Sequence, residues 1–338
     1  MVDSAAITET EEAQTFYDKR YRRGYMTSHP DFKVRRIAEI LSAMNLPQRG
    51  VALDYGCGNG VLTHVLRKSL PGWDVFGTDL SPTAVASAAA SYPECSFFPL
   101  DAPAIPPNSV DLVFTNHVLE HVLSVPDILS DIDTYMKPEA AMFHVLPCGN
   151  PGSLEHTVCR LTRDGIDGSH GGRFFFEDEG HLRRLTSDQL SAMCATLGYR
   201  TARVYFINQF MGAVDWISGS SLAFVREFAD PSRAIDFSAA SRLALLRLTL
   251  SMPAAVSKMV RVWERDLHAP EMTPKRLTRL AVAAPLYLLT VLPHRVLRWG
   301  LGRARDREWN RRKTDPRGSS MYVCLARDSA ETVGGFES

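Results

Sequence analysis

The stretch that most constrains this chain is Val51-Ala-Leu-Asp-Tyr-Gly-Cys-Gly-Asn-Gly60. Four apolar or aromatic residues and one acid lead into glycines at alternate positions, Gly56, Gly58 and Gly60. Beyond them Val61-Leu62-x-x-Val65-Leu66 has helical spacing. The pattern predicts a buried strand, a tight turn and a helix N-terminus. Glycine allows the sharp turn and lets a ligand approach main-chain N–H groups with no Cβ in the way. The first N–H groups of the helix lack partners within it and point at whatever lies over the turn. A nucleotide-like ligand suits such a place. The spacing Asp-x-Gly-x-Gly-x-Gly is not Gly-x-Gly-x-x-Gly, and no Gly-Lys-Ser/Thr follows, so a Walker-type phosphate loop is excluded.

Downstream, strands and helices alternate. A second strand, 74–78, ends at Asp79, and Leu80-Ser81-Pro82 opens a helix with proline at an early position. Asp79 lies about 20 residues past the turn, where a strand-end acid can accept both hydroxyls of a ribose. The plainer use of such an acid is to cap the next helix. A third strand, 96–100, ends at Asp101-Ala102, and a fourth, 110–115, runs into Asn116-His-Val-Leu-Glu-His121. Ile128, Leu129, Ile132 and Met136 mark a helix stopped by Lys137-Pro138, and 140–147 reads as a fifth strand. Thr186-x-x-Gln189 reads as a capping box for a helix over 190–197, ended by Gly198. Strands at 200–207 and 321–326 complete the series. This rhythm predicts an α/β fold with helices on both faces of a parallel sheet. Residues 10–48, with Phe16, Tyr17, Tyr21 and the Val34, Ile37, Ile40, Leu41 spacing, form a helical lead-in closed by Pro47 and Gly50.

The segment 51–60 closely resembles the first motif of the class I S-adenosylmethionine-dependent methyltransferases. Val118-Leu-Glu-His-Val122 resembles the signature after strand four in their small-molecule members, particularly the ubiquinone-type O-methyltransferases. The resemblance covers residues 10–208 and 319–328. It implies a doubly wound, seven-stranded Rossmann-like sheet whose last strand is inserted antiparallel. It also implies methyl transfer from S-adenosylmethionine. To that cofactor it assigns Asp54, Gly56, Cys57, Gly58, Asn59 and Gly60 of the turn, Asp79 with Leu80, and Asn116 with His117. Asp101 and the N–H of Ala102 would meet the adenine edge. In the lead-in, Tyr17, Tyr21 and Arg22 are candidates for the methionine end, with plain packing of the helix on the sheet as the alternative.

Methyl transfer is an in-line displacement at carbon, so alignment is most of what a protein supplies. An oxygen or nitrogen acceptor also needs a base near neutrality, which points to histidine. Of ten histidines, six (117, 121, 144, 156, 170 and 181) lie on or after strands four and five. His121 is the first candidate base and His117 the second, beside Glu120; the alternative is that the Glu-His pair only fixes its loop. His117-x-x-Glu120-His121 has metal-ligand spacing. Some resembling enzymes hold a divalent ion with Glu-x-x-Glu-His here, but this chain has His117 in place of the first Glu, so no metal is expected. Residues 148–185, with glycines 168, 171 and 172 and the run Phe174-Phe-Phe176, read as a lid or acceptor wall.

The departure from the resembling family is 210–318, a mainly helical insertion between strands six and seven. The expected organisation is a methyltransferase core over 1–209, the insertion over 210–318, and the last strand and tail over 319–338. Residues 261–318 hold 14 Lys and Arg against 6 Asp and Glu, so they carry +8 in a chain of zero net charge. Within them, 280–293 has no charged residue but two prolines, 285 and 293, which should interrupt a helix. Such a run is shorter than the roughly 20 residues of a membrane span. An apolar helix beside clustered arginines, with Trp299 and Trp309 among them, suggests an interfacial anchor over 280–313 on anionic lipid. A helical subdomain that packs on the sheet or dimerises is the alternative. Six cysteines without a Cys-x-x-Cys pair and an acidic, polar N-terminus point to a reduced, cytoplasmic setting, at most peripheral on the inner membrane face. The acceptor is then expected to be a small or lipid-like molecule, O-methylated in a biosynthetic pathway. A sugar or protein acceptor with the insertion as docking domain, and a non-catalytic scaffold, are the rival readings. Nucleic acid is not expected, as no Asn-Pro-Pro-Tyr-type motif for a flipped base follows strand four.

Overall fold

The computed structural model describes residues 4–169, 171–267 and 273–327. Helices α1 (Ser4–Arg22) and α2 (Asp31–Ala43) precede β1 (Val51–Tyr55), α3 (Val61–Ser69), β2 (Asp74–Asp79), α4 (Pro82–Ser91), β3 (Ser96–Pro99) and β4 (Val110–Asn116). Then follow α5 (Val125–Tyr135), β5 (Met136–Pro147), α6 (Leu154–Leu161), a two-stranded hairpin of β6 (Ile166–Asp167) and β7 (Arg173–Phe174), α7 (Ser187–Ala195) and β8 (Tyr199–Ile207). Helices α8 (Met211–Gly219), α9 (Leu222–Phe228), α10 (Phe237–Leu267) and α11 (Pro274–Arg312) lead to β9 (Ser320–Arg327).

Seven strands form one sheet in the order β3-β2-β1-β4-β5-β9-β8. The β1–β2, β2–β3, β1–β4 and β4–β5 pairs are parallel, and β9 enters between β5 and β8. This is a Rossmann-like α/β sheet, and its central strands show why. Ala52 and Leu53 of β1 and Leu112, Val113 and Phe114 of β4 are fully buried, as expected where helices cover both faces. Strand order reverses between β1 and β4, so their carboxyl ends open a crevice, the usual ligand position in such sheets.

The chain divides into two compact units. The first comprises Met1–Leu146, Asp188–Val204 and Tyr322–Ser338; the second comprises Pro147–Ser187 and Tyr205–Met321. The second has its own core, in which Leu154, Val158, Ala213, Ile217, Val225, Phe228, Leu243 and Leu250 are buried together. Phe175 and Phe176 pack against that core, and Phe174 is 1% exposed. The aromatic run expected to wall an acceptor pocket is thus drawn inward by apolar burial: Phe176 lies 5.0 Å from Phe228, ring centre to ring centre.

Of two breaks expected from proline, one occurs and one does not. Helix α5 ends at Tyr135 with Met136 as its C-cap, just before Lys137-Pro138, and the chain passes at once into β5, so the proline lies inside that strand. Met136 pairs with Val110 and Ala141 with Leu112, so five residues of β5 oppose two of β4 and the proline falls in the irregularity, where no ladder donor is required. Helix α11 runs unbroken through Pro285 and Pro293. Both prolines are exposed, so each carbonyl they deprive of a partner is reachable by solvent.

Candidate active site

The glycine turn is built as its residues require. Gly56, Gly58 and Gly60 have φ of +82°, +52° and +77°, where a Cβ is strained. A Cβ on Gly56 would also lie 2.4 Å from Val118 Cγ2, and one on Gly58 would lie 2.8 Å from the Tyr21 hydroxyl. The Gly56 and Cys57 N–H groups donate to Thr78 O at 2.8 and 2.9 Å, hanging the turn from the end of β2. Gly60 starts α3 in left-handed geometry with no side-chain cap. An N-terminus without a side-chain cap is the kind that can take an anionic group.

Asp79 binds this turn directly. Its Oδ2 accepts the Gly58 N–H at 2.8 Å and its Oδ1 accepts the Ser81 N–H at 2.9 Å. Helix α4 is capped by Ser81, whose Oγ accepts the Ala84 N–H at 3.2 Å, and of the roughly four acceptor positions on the Asp79 carboxylate two remain. Burial raises the Asp79 carboxyl while the two N–H bonds oppose the rise. Asp54 sits deeper, 1% exposed, and accepts Thr63 Oγ1 at 2.6 Å. Burial pushes its carboxyl up to about 7, against the Thr63 bond and with help from Asp79. Asp54 thus ties β1 to α3 beneath the turn. Cys57 is buried and its thiol is pushed well above its usual range, first by burial and then by Asp54 and Asp79.

The lead-in covers the turn. Asp18 meets Ser81 Oγ, and Asn59 Nδ2 donates to Tyr25 O at 2.7 Å. The Tyr21 phenol is raised by burial and by nearby Asp79. The Tyr17 ring stands edge-on to His121 at 5.8 Å. Arg22 is exposed on the last turn of α1, and it is Arg20 whose guanidinium lies 3.9 Å from the Tyr25 ring centre. Leu80 is half-buried beside Asp79. Asp101 and Ala102 are exposed beyond β3, with the Ala102 N–H donating to Pro99 O at 3.1 Å.

Across the crevice, β4 ends in Asn116, whose Oδ1 is buried without a hydrogen-bond partner. His117 follows at φ +55°, a strained value for a residue with a side chain, held by its N–H on Val145 O at 2.8 Å. That geometry sets His117 Nδ1 2.6 Å from Glu120 Oε1, while His121 Nε2 is 3.9 Å from the same oxygen. Glu120 is 1% exposed, His121 10% and His117 29%. The buried carboxylate therefore orients His117 more tightly than His121, and His117 is the more open of the two.

Two titratable residues that sequence reasoning missed lie here, and of the two only Lys33 is a cation near neutrality. Lys33, on α2, has its ammonium pulled down to about 8 by burial, with Glu120 acting the other way. His29 is lowered to about 4 by burial, then by Lys33 and His117. Both lie more than eighty positions from His117 in the chain, so no local motif could have linked them. Of the other histidines, His144 is wholly buried with Nδ1 2.8 Å from Thr115 Oγ1. His156 and His181 belong to the second unit, where His181 meets Glu177 at 3.1 Å. His170 lies outside the described residues.

A glycine turn opening a helix, an acid at the tip of the next strand and an unpartnered Asn116 carbonyl on the facing strand define a nucleoside-binding α/β enzyme site. These residues fit S-adenosylmethionine: the turn and α3 for the amino-acid end, and the remaining lone pairs of Asp79 for the ribose. A methyltransferase-domain family profile matches residues 21–204, and the chain belongs to that family, the class I enzymes that use S-adenosylmethionine. It is 28% identical over 215 residues to a trans-aconitate 2-methyltransferase of Methylobacterium radiotolerans, covering 61% of this chain and 80% of that protein. With the trans-aconitate 2-methyltransferase of an Enterobacter species it shares 24% over 201 residues, 56% of this chain and 74% of the other. A solved S-adenosylmethionine-dependent methyltransferase from Archaeoglobus fulgidus aligns with a TM-score of 0.39 and 17% identity, over 57% of this chain and 77% of that one.

Proposed function

We propose that this enzyme methylates an oxygen of a small, anionic acceptor, with His117 as the base and Glu120 as the group that orients it. The observation carrying this reading is the 2.6 Å contact between His117 Nδ1 and the buried Glu120 carboxylate at the mouth of β4. S-adenosylmethionine supplies a sulfonium-bound methyl group there. The chain's own residues then have three tasks. Asp79, the glycine turn and α3 hold the donor; Glu120 keeps the Nδ1 proton of His117 and leaves Nε2 to take the acceptor's proton; the Lys33 ammonium favours a negative group nearby. The relatives named above are called after trans-aconitate, a small polycarboxylate, which supports an anionic acceptor of modest size.

The test separates binding from turnover. His117→Asn should keep S-adenosylmethionine affinity, read by titration calorimetry, while kcat toward a hydroxylated carboxylic acid acceptor falls by about 10²–10⁴, the usual contribution of a positioned base. Undiminished turnover in that variant would remove His117 from the role. The wild-type pH–rate profile should show a rising limb that His117→Asn abolishes.

A further inference from the structure

The two long helices of the second unit have contrasting sides. Helix α10 buries Leu243, Leu250 and Ala254 in the core of its unit. Its opposite stripe, Phe237, Leu245, Leu248 and Met252, is 66–88% exposed. Helix α11 shows Val282, Leu289, Leu292, Val296 and Trp299 at 58–78% exposure, with Pro285 on the same side. No charged residue occurs from Leu280 to Pro293. Basic residues bracket this stretch: exposed Lys275 and Arg279 and half-buried Arg276 precede it, and Arg295 and Arg303 follow. The Arg303 guanidinium lies 4.6 Å from the Trp299 ring centre.

We propose that α10 and α11 form a monotopic membrane-binding face that lies on an anionic lipid surface. Charge complementarity selects the occupant. An apolar stripe flanked at both ends by arginines, with a tryptophan beside one of them, matches acyl chains under acidic headgroups. The geometry disfavours a second copy of the chain. With Pro293 and Leu297 the exposed apolar arc covers nearly half of the α11 circumference, wider than the two-in-seven seam of a coiled coil. Prolines stand on that arc and prevent regular knobs-into-holes packing. An interface rich in water and headgroups instead solvates the carbonyls the prolines leave open. The face lies on the bilayer and does not cross it. By length and composition Phe237–Arg265 could span a membrane. Its inner side, however, is the core of the second unit, and Ser257 Oγ is tied to His294 Nε2 of α11 at 2.7 Å. Spanning would pull those groups out of place. Surface binding leaves them undisturbed.

Vesicle flotation of the full chain tests this. The protein should float with vesicles containing phosphatidylglycerol. Binding should be about tenfold weaker with phosphatidylcholine alone, or in about 1 M salt, where charge attraction is screened within ~3 Å. Leu289→Glu with Leu292→Glu should abolish flotation, while circular dichroism and S-adenosylmethionine affinity stay at wild-type values. Failure of the wild type to float with acidic vesicles overturns the proposal, as does unchanged flotation of the double variant. Sedimentation showing a dimer that these two substitutions dissolve also overturns it, because the face then belongs to a second copy. Flotation is read without turnover, so its failure leaves the proposed acceptor chemistry standing.

Discussion

Gly56 shows how much one atom decides in this site. Alanine there would occupy φ +82° and set its Cβ 2.4 Å from Val118 Cγ2. Left-handed strain and overpacking together should cost about 2–4 kcal/mol, read as a lower urea midpoint for Gly56→Ala, with weakened S-adenosylmethionine binding. Asp79 makes the complementary case. Asp79→Asn replaces an ionised acceptor that holds the Gly58 and Ser81 N–H groups. A lost charged hydrogen bond of about 1.5–3 kcal/mol predicts S-adenosylmethionine affinity roughly 10–100-fold weaker by calorimetry. These positions were legible in the chain because strand, turn and acid are local patterns. The short His117–Glu120 contact was not, because it accompanies a positive φ at His117, whose N–H is held by Val145 O of β5, a partner distant in the chain.

Among the elements, the second unit is pinned by a buried charge cluster that no motif announced. Arg184 donates to Glu155 Oε2 at 2.9 Å, to Glu177 Oε1 at 2.8 Å, and to the carbonyls of Cys148 and Ser319. Burial alone would raise the Glu177 carboxyl, but Arg184 and His181 hold it below the usual range. Ser319 Oγ and Trp216 Nε1 complete the coordination of Glu155 Oε1 at 2.6 and 3.0 Å. Arg184→Met should cost about 3–5 kcal/mol, since two acids would stay buried with no cation, and thermal unfolding would show it. Replacing the arginine and both acids together by apolar residues should recover part of that loss. Folding places both acids and Arg184 inside, where apolar neighbours make pairing compulsory.

At the scale of the whole molecule, stability against pH is set by buried groups that pull in opposite directions. The folded-state carboxyl of Asp54 is raised from 3.8 to about 7, so the native state keeps a proton the unfolded chain has lost, and this contribution falls as pH rises between them. His144 is lowered from 6.5 to about 4 by burial, so the native state resists a proton the unfolded chain accepts, and its contribution falls as pH drops through that window. The two offset one another in their shared range. Asp54→Asn should uncover a histidine slope over pH 4 to 6.5 in urea titrations, shared by His144 and by His29, which is also lowered to about 4, with about 3 kcal/mol of the rise belonging to His144. A flat profile in that variant would show that His144 is not held neutral.

The sequence by itself determined the class of this protein. The period-two and period-3.6 patterns, the glycine triplet and the acids at strand tips are short-range features, and each acts through backbone conformation that its own residues dictate. Tertiary structure alone decided the rest. It brought Lys33 toward Glu120 and His29 toward Lys33 and His117, drew Phe174–Phe176 into a second core, buried Arg184 between two acids, and left one long side of α10 and α11 apolar in water. Those outcomes depend on contacts between residues distant in the chain, and on which surfaces found apolar partners. No local pattern carries that information.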